Sequence, residues 1–195
     1  MNYQIVCAGI GGRGVLLAST ILIETAIRSG YHALASDEYG MSQRGGSVVS
    51  LIKIGDFKSP LIGRESADIL LAFEESEFFR NLVFLKKGGL TVINTRKDLL
   101  PIGVQHLITE RNVGYYLINA DGIAMEKHTV QASNMALLGF FSHLSIGPYI
   151  FENIRGTIKE RTKGRFLEKN LEVFDKGYEY AKTGNKSADN PGGSV

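Results

Sequence analysis

The chain has 195 residues, of which 44% are hydrophobic and 22% charged, and its formal net charge at pH 7 is +2. This length is typical of one α/β domain, and the hydrophobic fraction is sufficient for one buried core. The small net charge, without a basic run, argues against nucleic-acid binding. Apolar runs of membrane-spanning length and a signal peptide are both absent from the sequence, so we expect a soluble cytoplasmic protein.

The first third of the chain predicts a strand, a helix and two more strands. YQIVCA is apolar and ends at glycine, as buried strands often do. VLLASTILIETAIRSG is apolar on nearly all sides and ends at Gly30, which predicts a helix packed on a sheet. YHALAS and SVVSLIKIG are predicted strands, and SPLI is expected to pair back on the second of them. These segments cover residues 3–8, 15–30, 31–36, 47–55 and 59–62.

The rest of the chain continues this alternation. A buried strand is predicted first, and then a helix over 74–89 that has acidic residues at its start and Lys86 and Lys87 at its end. Two strands follow, and then three helices, the second of which is opened by Pro148 at a first-turn position. The polar, glycine-rich tail is expected to be disordered. The other predicted segments are strands 67–73, 90–94 and 112–119, helices 130–144, 148–161 and 166–181, and the tail 183–195.

This order of elements predicts the fold class. Strands that alternate with helices give an α/β fold, here a Rossmann-like open, mostly parallel sheet with helices on both faces. The run of strands at 31–62, where a helix would be expected, adds an inserted β-hairpin. Neither a repeat nor a long linker divides the chain, so residues 1–182 are predicted to form a single domain.

A glycine-rich turn lies between the first predicted strand and helix. Gly9, Gly11 and Gly14 fit the pattern G-x-G-x-x-G in the context that this motif requires. Such glycines allow a tight turn and a close approach of a ligand to backbone N–H groups at a helix start, where a phosphate or another anion can bind. Arg13 could add a charge-assisted contact. The alternative is that the glycines only let the helix pack closely on its strand.

A second unusual segment, GMSQRGGSV, follows the second predicted strand. Gly40, Gly45 and Gly46 indicate backbone torsions that other residues resist, or close approach by another molecule. Gln43 and Arg44 are long hydrogen-bonding side chains between these glycines. The segment is either a solvated polar turn or part of a binding site, and its place beside the glycine-rich turn favours the binding site.

Three motifs in order resemble one known family, the gamma-type chains of 2-oxoacid:ferredoxin oxidoreductases. They are GIGGRGVLLASTIL, YGMSQRGGSVVSLIKIG and NMALLGFF, and the similarity covers about residues 3–181. GMSQRGGSV looks most like the beta subunit of indolepyruvate ferredoxin oxidoreductase. That branch often has an acid, an apolar residue and a histidine before the glycine, where this chain has Asp37, Glu38 and Tyr39.

The resemblance implies an enzyme subunit that is inactive alone. Such enzymes decarboxylate a 2-oxoacid on thiamine diphosphate, pass electrons through iron–sulfur clusters to ferredoxin and release an acyl-CoA. This sequence has a single cysteine and no thiamine-diphosphate motif, so thiamine diphosphate, Mg²⁺ and [4Fe-4S] clusters are expected on larger partner subunits. The residues expected to contact the partner's active site, the oxoacid or CoA are Gly9, Gly11, Gly12, Arg13, Gly14, Gln43, Arg44, Gly45 and Gly46.

Other chemically interesting residues have simpler interpretations. Cys7 is expected to be a small buried hydrophobe. Glu74, Glu75 and Glu77 are expected to be solvated residues that favour a helix start. Asn134 is either a cap or buried hydrogen-bonding group, or a contact to a partner. Metal binding is not expected of the histidines, which lack ligand spacing: His32, His106, His128 and His143.

Two other functions stay open at this point. One is a free-standing dinucleotide-binding oxidoreductase, which would use Gly9, Gly11 and Gly14 with Asp37 as the ribose-binding acid. The other is a purely structural assembly module. An apolar face for a partner would fit either a subunit or an assembly module. Its possible contributors, for most of which core packing is the favoured use, are Phe140, Phe141, Tyr149 and Phe151.

Overall fold

The computed structural model describes residues 1–39, 46–127, 129–164 and 166–183. The strands are β1 (Tyr3–Ile10), β2 (Ala33–Tyr39), β3 (Ser47–Ile54), β4 (Ala67–Ala72), β5 (Leu85–Asn94) and β6 (Gly114–Ile118). The α-helices are α1 (Val15–Arg28), α2 (Glu75–Asn81), α3 (Ile102–Glu110), α4 (Ala120–Glu126), α5 (Ser133–His143), α6 (Phe151–Arg161) and α7 (Phe166–Thr183). None of the helices within these ranges is both long enough and apolar enough to cross a membrane.

The strands form one 6-stranded sheet in the order β2-β3-β1-β4-β5-β6. Strand β3 is antiparallel to both of its neighbours, β1 and β2. The pairs β1–β4, β4–β5 and β5–β6 are parallel. Because only β3 runs against the others, the predicted open, mostly parallel sheet is confirmed. The carboxyl ends of the parallel strands lie along one side of the sheet, here called the carboxyl edge.

The inserted hairpin exists, but its strands differ from the prediction. It is formed by β2 and β3, whose register places Asp37 opposite Ser50. The expected pairing of SPLI is wrong, since residues 59–62 contain no strand. Pro60 has no N–H to donate to a sheet ladder, and Ile62 is instead buried in the core while Leu61 is exposed.

The long helix predicted over 74–89 is also wrong. Helix α2 ends at Asn81, a 3₁₀ turn covers 82–84, and β5 begins at Leu85, which pairs with Ala67. Lys86 therefore lies in a strand and pairs with Asp68, so it does not complement a helix end. Pro148 is likewise outside the first turn of α6, which begins at Phe151. Helices α3 and α4 were not predicted.

Helices cover both faces of the sheet, as predicted. Alternate residues of β1 enter two apolar clusters, with Ile5 and Cys7 in one and Val6 and Ala8 in the other. The larger cluster includes residues of α1, α4, α5, α6 and α7, and the smaller includes residues of α2 and α3. Core packing is confirmed for three of the aromatic residues considered for a partner surface, since Phe140, Phe141 and Tyr149 are buried members of the larger cluster. Phe151 is partly buried and packs against the same cluster.

Helices α5 and α7 cross at close range through two glycines. A Cβ added to Gly139 of α5 would lie 2.0 Å from the carbonyl oxygen of Phe174. A Cβ on Gly177 of α7 would lie 2.0 Å from the carbonyl oxygen of Ala136. Neither position leaves space for a methyl group. Gly139 is the glycine of the NMALLGFF motif, so helix packing accounts for it. Helix α7 continues through Thr183, one residue into the predicted tail, and residues 184–195 lie outside the described residues.

Candidate functional site

The glycine-rich turn connects the carboxyl end of β1 to the start of α1. Gly9 lies inside β1, and a Cβ there would approach the Val15 side chain at 2.6 Å and Phe73 Cβ at 3.0 Å. A side chain at this position would push α1 away from the sheet. Close packing of α1 on its strand is therefore sufficient to explain why position 9 is glycine, without any ligand.

Gly14 has a second partner in the distant NMALLGFF motif. It has a left-handed conformation (φ 70°, ψ 26°) at the start of α1. Its carbonyl oxygen accepts hydrogen bonds from the Ala18 amide at 3.0 Å and from Asn134 Nδ2 at 3.1 Å. A Cβ on Gly14 would be 2.5 Å from that same Nδ2 atom. Asn134 therefore makes a buried hydrogen bond, one of its expected roles, and joins two motifs that are far apart in the sequence.

Gly11 and Gly12 complete the turn in different ways. The Gly11 amide donates to the Gly46 carbonyl at 2.9 Å, which joins the turn to the residue that precedes β3. Gly12 has a φ of 88°, and a Cβ there would meet no described residue within 4 Å. Glycine is thus needed at position 12 for its torsion, and the part of the chain that the structure describes leaves the space beside it open. The other expected contacts of this region, Gln43, Arg44 and Gly45, lie outside the described residues.

Arg13 is held above the carboxyl edge by a carboxylate from α4. Its Nη1 donates to Asp121 Oδ1 at 2.8 Å, and 30% of the Arg13 side chain is exposed against 14% of Asp121. Asn94 Nδ2 also donates to Asp121 Oδ1, at 3.2 Å, and to the Phe73 carbonyl at 3.1 Å. Asn94 Oδ1 accepts from the Ala120 amide at 3.0 Å. The turn, β4, β5 and α4 are thereby connected through one buried asparagine.

A buried glutamate adjoins this edge, contrary to expectation. Glu77 of α2 was expected to be solvated, yet only 1% of it is exposed. Its Oε2 accepts from the Ser47 hydroxyl at 2.6 Å, and Arg80 Nη1 lies 3.3 Å from its Oε1. Ser47 follows Gly46 and begins β3, so Glu77 fixes the strand that leaves the turn region. Glu74 does act at the helix start, because its carboxylate accepts from the Ser76 amide at 2.7 Å.

Asp37 does not occupy the position of a ribose-binding acid. Strand β3 separates β2 from β1, so the Asp37 backbone is about 10 Å from β1 at ordinary strand spacing. Its register partner Ser50 pairs with Cys7, two positions before Gly9. The Ser50 hydroxyl donates to Asp37 Oδ1 at 2.6 Å. This geometry counts against the dinucleotide-binding alternative.

Comparison with known proteins identifies the family of this chain. The family model described as pyruvate ferredoxin/flavodoxin oxidoreductase matches residues 4–180. The chain belongs to this family. It is 34% identical over 204 residues to the indolepyruvate oxidoreductase subunit IorB of Archaeoglobus fulgidus, a match that covers 96% of this chain and 100% of the relative. These matches confirm the predicted assignment to a subunit of a 2-oxoacid:ferredoxin oxidoreductase.

Solved structures agree with this assignment. The gamma subunit of a keto/oxoacid ferredoxin oxidoreductase from Geobacter sulfurreducens has a TM-score of 0.74 and 27% identity, and the match covers 92% of this chain and 98% of that one. A 2-oxoglutarate:ferredoxin oxidoreductase from Magnetococcus marinus, solved with 2-oxoglutarate, coenzyme A and succinyl-CoA bound, has a TM-score of 0.76 and 22% identity, covering 93% of this chain and 31% of that one. The second match bears on the fold alone. Both agree with the predicted gamma-type fold.

The residues of this oxidoreductase subunit do not fit an iron–sulfur cluster. Cys7 is the single cysteine, and it is fully buried in the larger apolar cluster. Burial, with a further contribution from the charge of Asp37, raises the pKa of the Cys7 thiol well above its ordinary value. The thiolate that a cluster requires is therefore strongly disfavoured. Among the described residues, no group of three or more His, Cys, Asp or Glu side chains is arranged to hold a metal ion.

The sequence predicted the glycine-rich turn. It did not predict that Asn94 and Asp121 would hold Arg13 in that turn. Asn94 is the last residue of β5, and Asp121 lies three residues after the end of β6. Both therefore lie at the carboxyl ends of strands that meet at the same edge as the turn. The available signal was a polar residue at or just after the end of a predicted parallel strand. It was weak because asparagine and aspartate are also common in ordinary turns.

Proposed function

We propose that this chain is the gamma-type subunit of an enzyme that oxidatively decarboxylates an arylpyruvate such as indolepyruvate to an acyl-CoA, with ferredoxin as the electron acceptor. The observation that carries the proposal is the Arg13 guanidinium, held by Asp121 at 2.8 Å in the glycine-rich turn that follows the carboxyl end of β1. The full-length similarity to an indolepyruvate oxidoreductase subunit supports the substrate class. The proposal places the complex in the cytoplasm.

The cofactors of the reaction are assigned to larger partner subunits. Thiamine diphosphate with Mg²⁺ supplies the electron sink for decarboxylation, and [4Fe-4S] clusters carry the electrons. The buried lone thiol of this chain is unsuited to either task. This chain is inactive alone in the proposal, and its activity appears only in the assembled complex.

The task of this chain is to complete the site for an anionic group. A guanidinium offers five N–H donors, and Asp121 accepts from one of the two on Nη1. Backbone N–H groups at the start of α1 add a partial positive charge, and the residue at its N-cap, Gly14, provides no side-chain cap. An oxyanion, either the carboxylate of a 2-oxoacid or a phosphate of CoA, fits these donors. Gln43 and Arg44 are proposed as further contacts from the segment that ends at Gly46.

A purely structural assembly module is the second candidate, and the crowding at Gly9 and Gly14 favours it. Both glycines are explained by packing against Val15, Phe73 and Asn134 without any ligand. This candidate predicts that changes in the turn prevent assembly and have no separate effect on catalysis. The subunit proposal predicts changes in substrate dependence in complexes that still assemble.

The first test is a mild purification of the tagged chain from its native cells. Co-purification of a cysteine-rich chain, thiamine diphosphate and the visible absorption of iron–sulfur clusters is expected. The complex should reduce ferredoxin with indolepyruvate and CoA faster than with pyruvate or 2-oxoglutarate. A colourless chain that is purified alone, or a complex that prefers pyruvate, would contradict the subunit role or the substrate class, respectively.

The second test separates catalysis from assembly. In the complex, Arg44→Ala is expected to lower kcat/KM by about a hundredfold while the subunits stay together, as expected for loss of a charge-assisted contact. Arg64→Ala is the matched control, because Arg64 is an exposed arginine that precedes β4 at the opposite edge of the sheet. Unchanged kinetics of Arg44→Ala would remove Arg44 from the site, and loss of assembly would favour the structural module.

A further inference from the structure

The Asp121 carboxylate holds the end of the Arg13 side chain. Arg13 lies in a turn and 30% of its side chain is exposed, so its guanidinium needs a polar partner to stay in one orientation. The ion pair at 2.8 Å to Asp121 connects the turn to α4, 108 positions along the chain. Because Asp121 is only 14% exposed, the pair is shielded from solvent better than most surface ion pairs.

Asp121 is itself oriented by a buried residue. Asn94, with 6% exposure, donates through Nδ2 to the same Oδ1 atom that accepts from Arg13. Asn94 is fixed in turn by the Phe73 carbonyl and the Ala120 amide. The position of the Arg13 guanidinium is thus determined by a chain of hydrogen bonds from the ends of β4 and β5. Such support is what an accurately placed binding group requires.

We propose that Asp121 is a positioning residue: it holds Arg13 by one nitrogen and leaves the remaining donors for an oxyanion of the substrate or co-substrate. This inference rests on the proposed function, in which Arg13 contacts that oxyanion. The carboxylate of the 2-oxoacid and the phosphates of CoA share the chemistry, since both bind a guanidinium through paired oxygens. Asp121 acts through Arg13 and needs no contact with either compound.

The test compares Asp121→Ala with Asp121→Asn in the purified complex, with indolepyruvate and CoA varied separately. The alanine variant frees the guanidinium and is expected to raise one of the two KM values about tenfold, with kcat within about twofold. The asparagine variant keeps an oxygen acceptor for Arg13, and its KM is expected to stay within about twofold of the original. The compound whose KM changes identifies the source of the oxyanion.

A second ion pair provides the matched control. Arg155 of α6 and Asp175 of α7 are joined at 2.8 Å and 2.9 Å, and the Arg155 side chain is 27% exposed. Asp175→Ala removes a comparable arginine–carboxylate pair away from the carboxyl edge, and is expected to leave both KM values unchanged. Equal kinetics of Asp121→Ala and Asp175→Ala would overturn the positioning role.

Comparing Arg13→Ala with Asp121→Ala separates this inference from the proposed function. If Arg13→Ala raises a KM while Asp121→Ala does not, only the positioning role fails. If neither changes a KM, the contact of Arg13 with an oxyanion fails as well. Should Asp121→Ala fail to assemble, Asp121→Ser decides the matter, because serine keeps a polar group near Asn94 but loses the carboxylate that holds Arg13. It is expected to raise the KM for indolepyruvate or for CoA about tenfold, and unchanged KM values for both compounds would overturn the inference.

Discussion

At the crossing of α5 and α7, glycine makes space for a neighbouring backbone, whereas in the glycine-rich turn it serves a different purpose at each position. Gly139 and Gly177 would each place a Cβ 2.0 Å from a carbonyl oxygen of the other helix. Gly14 would place one 2.5 Å from the Asn134 side chain, and Gly12 would meet none of the described residues within 4 Å. Crowding thus accounts for three of these glycines, and torsion alone for the fourth.

This difference separates the glycines that packing explains from the one that the proposed contact would use. Gly9 and Gly14 position α1 against the sheet and against α5, and they would be needed without any ligand. No described residue would crowd a side chain at Gly12, which lies next to Arg13, so Gly12 is the position at which we propose that another molecule approaches the backbone. Gly9 and Gly14 are explained by packing, whereas Gly12 is the glycine that the proposed contact would use.

The largest expected effect is at the helix crossing. Gly139→Ala should destabilise the chain by more than about 3 kcal/mol, because the helices must separate to admit the methyl group. Urea unfolding followed by circular dichroism measures this. Gly156→Ala in α6 is the control, since a Cβ there meets nothing within 4 Å, and it should stabilise by about 0.5–1 kcal/mol. Similar results for the two variants would contradict the close crossing.

Within the turn, Gly14→Ala and Gly12→Ala should differ. Both force a side chain into a left-handed conformation, which costs about 1–2 kcal/mol. Gly14→Ala also displaces Asn134, so we expect a total of about 3 kcal/mol, against about 1.5 kcal/mol for Gly12→Ala. Unfolding free energies of the two variants provide the comparison. An equal cost at both positions would show that Asn134 does not crowd Gly14.

A smaller effect is expected for Asn134→Ala, which removes the hydrogen bond to the Gly14 carbonyl. The loss should be about 1–2 kcal/mol, because that oxygen keeps its bond from the Ala18 amide. In the double variant with Gly14→Ala the clash is relieved, so the combined loss should be less than the sum of the single losses. Additive losses in a double-mutant cycle would disprove the coupling between the two motifs.

The smallest predicted effect is a pH dependence of the stability contributed by Glu75 at the start of α2. Burial opposes the charged form of Glu75, but hydrogen bonds from Lys97 and Thr95 and the charge of Lys97 lower its pKa below the ordinary 4.5. Its stabilising contribution is therefore complete above about pH 4.5 and is lost as the pH falls through the lower folded-state pKa.

The variant Glu75→Gln should consequently lower the Tm at pH 7 and have less effect at pH 3. Glu179→Gln in α7 is the control, because Glu179 forms an exposed pair with Lys182 and should change the Tm little at either pH. A Tm difference for Glu75→Gln that grows as the pH falls would contradict the sign of the shift.

Much of the sheet could be predicted because its strands are short apolar runs bounded by glycine or polar residues. The predicted helix at 74–89 failed for a specific reason. Lys86 and Lys87 resemble a helix end, but the pairing of Leu85 with Ala67 recruits this segment into β5. Propensity within a short window cannot detect a strand partner that lies elsewhere in the chain. Helix α3 was missed because it buries a single residue, Ile108, and thus has little apolar periodicity.

The candidate site could be predicted only in part. The glycines and Arg13 are contiguous and carry a recognisable pattern. Asn94 and Asp121 reach the same place from β5 and α4, and their contribution depends on hydrogen bonds at 2.8 Å and 3.2 Å that no local pattern encodes. Glu77 was wrongly predicted to be solvated, because an acidic residue near the start of a helix is usually an exposed residue that interacts with the helix dipole. Its burial depends on Ser47, which arrives from β3.

The fully buried Cys7 makes this chain convenient for site-specific labelling. Its thiol is the only one in the sequence, it is 0% exposed, and its raised pKa keeps it protonated at neutral pH. Maleimide reagents should therefore leave the native chain unmodified. A single cysteine introduced at an exposed position such as Ile102 would then carry a fluorophore or spin label alone, which allows distances to the partner subunits to be measured during turnover.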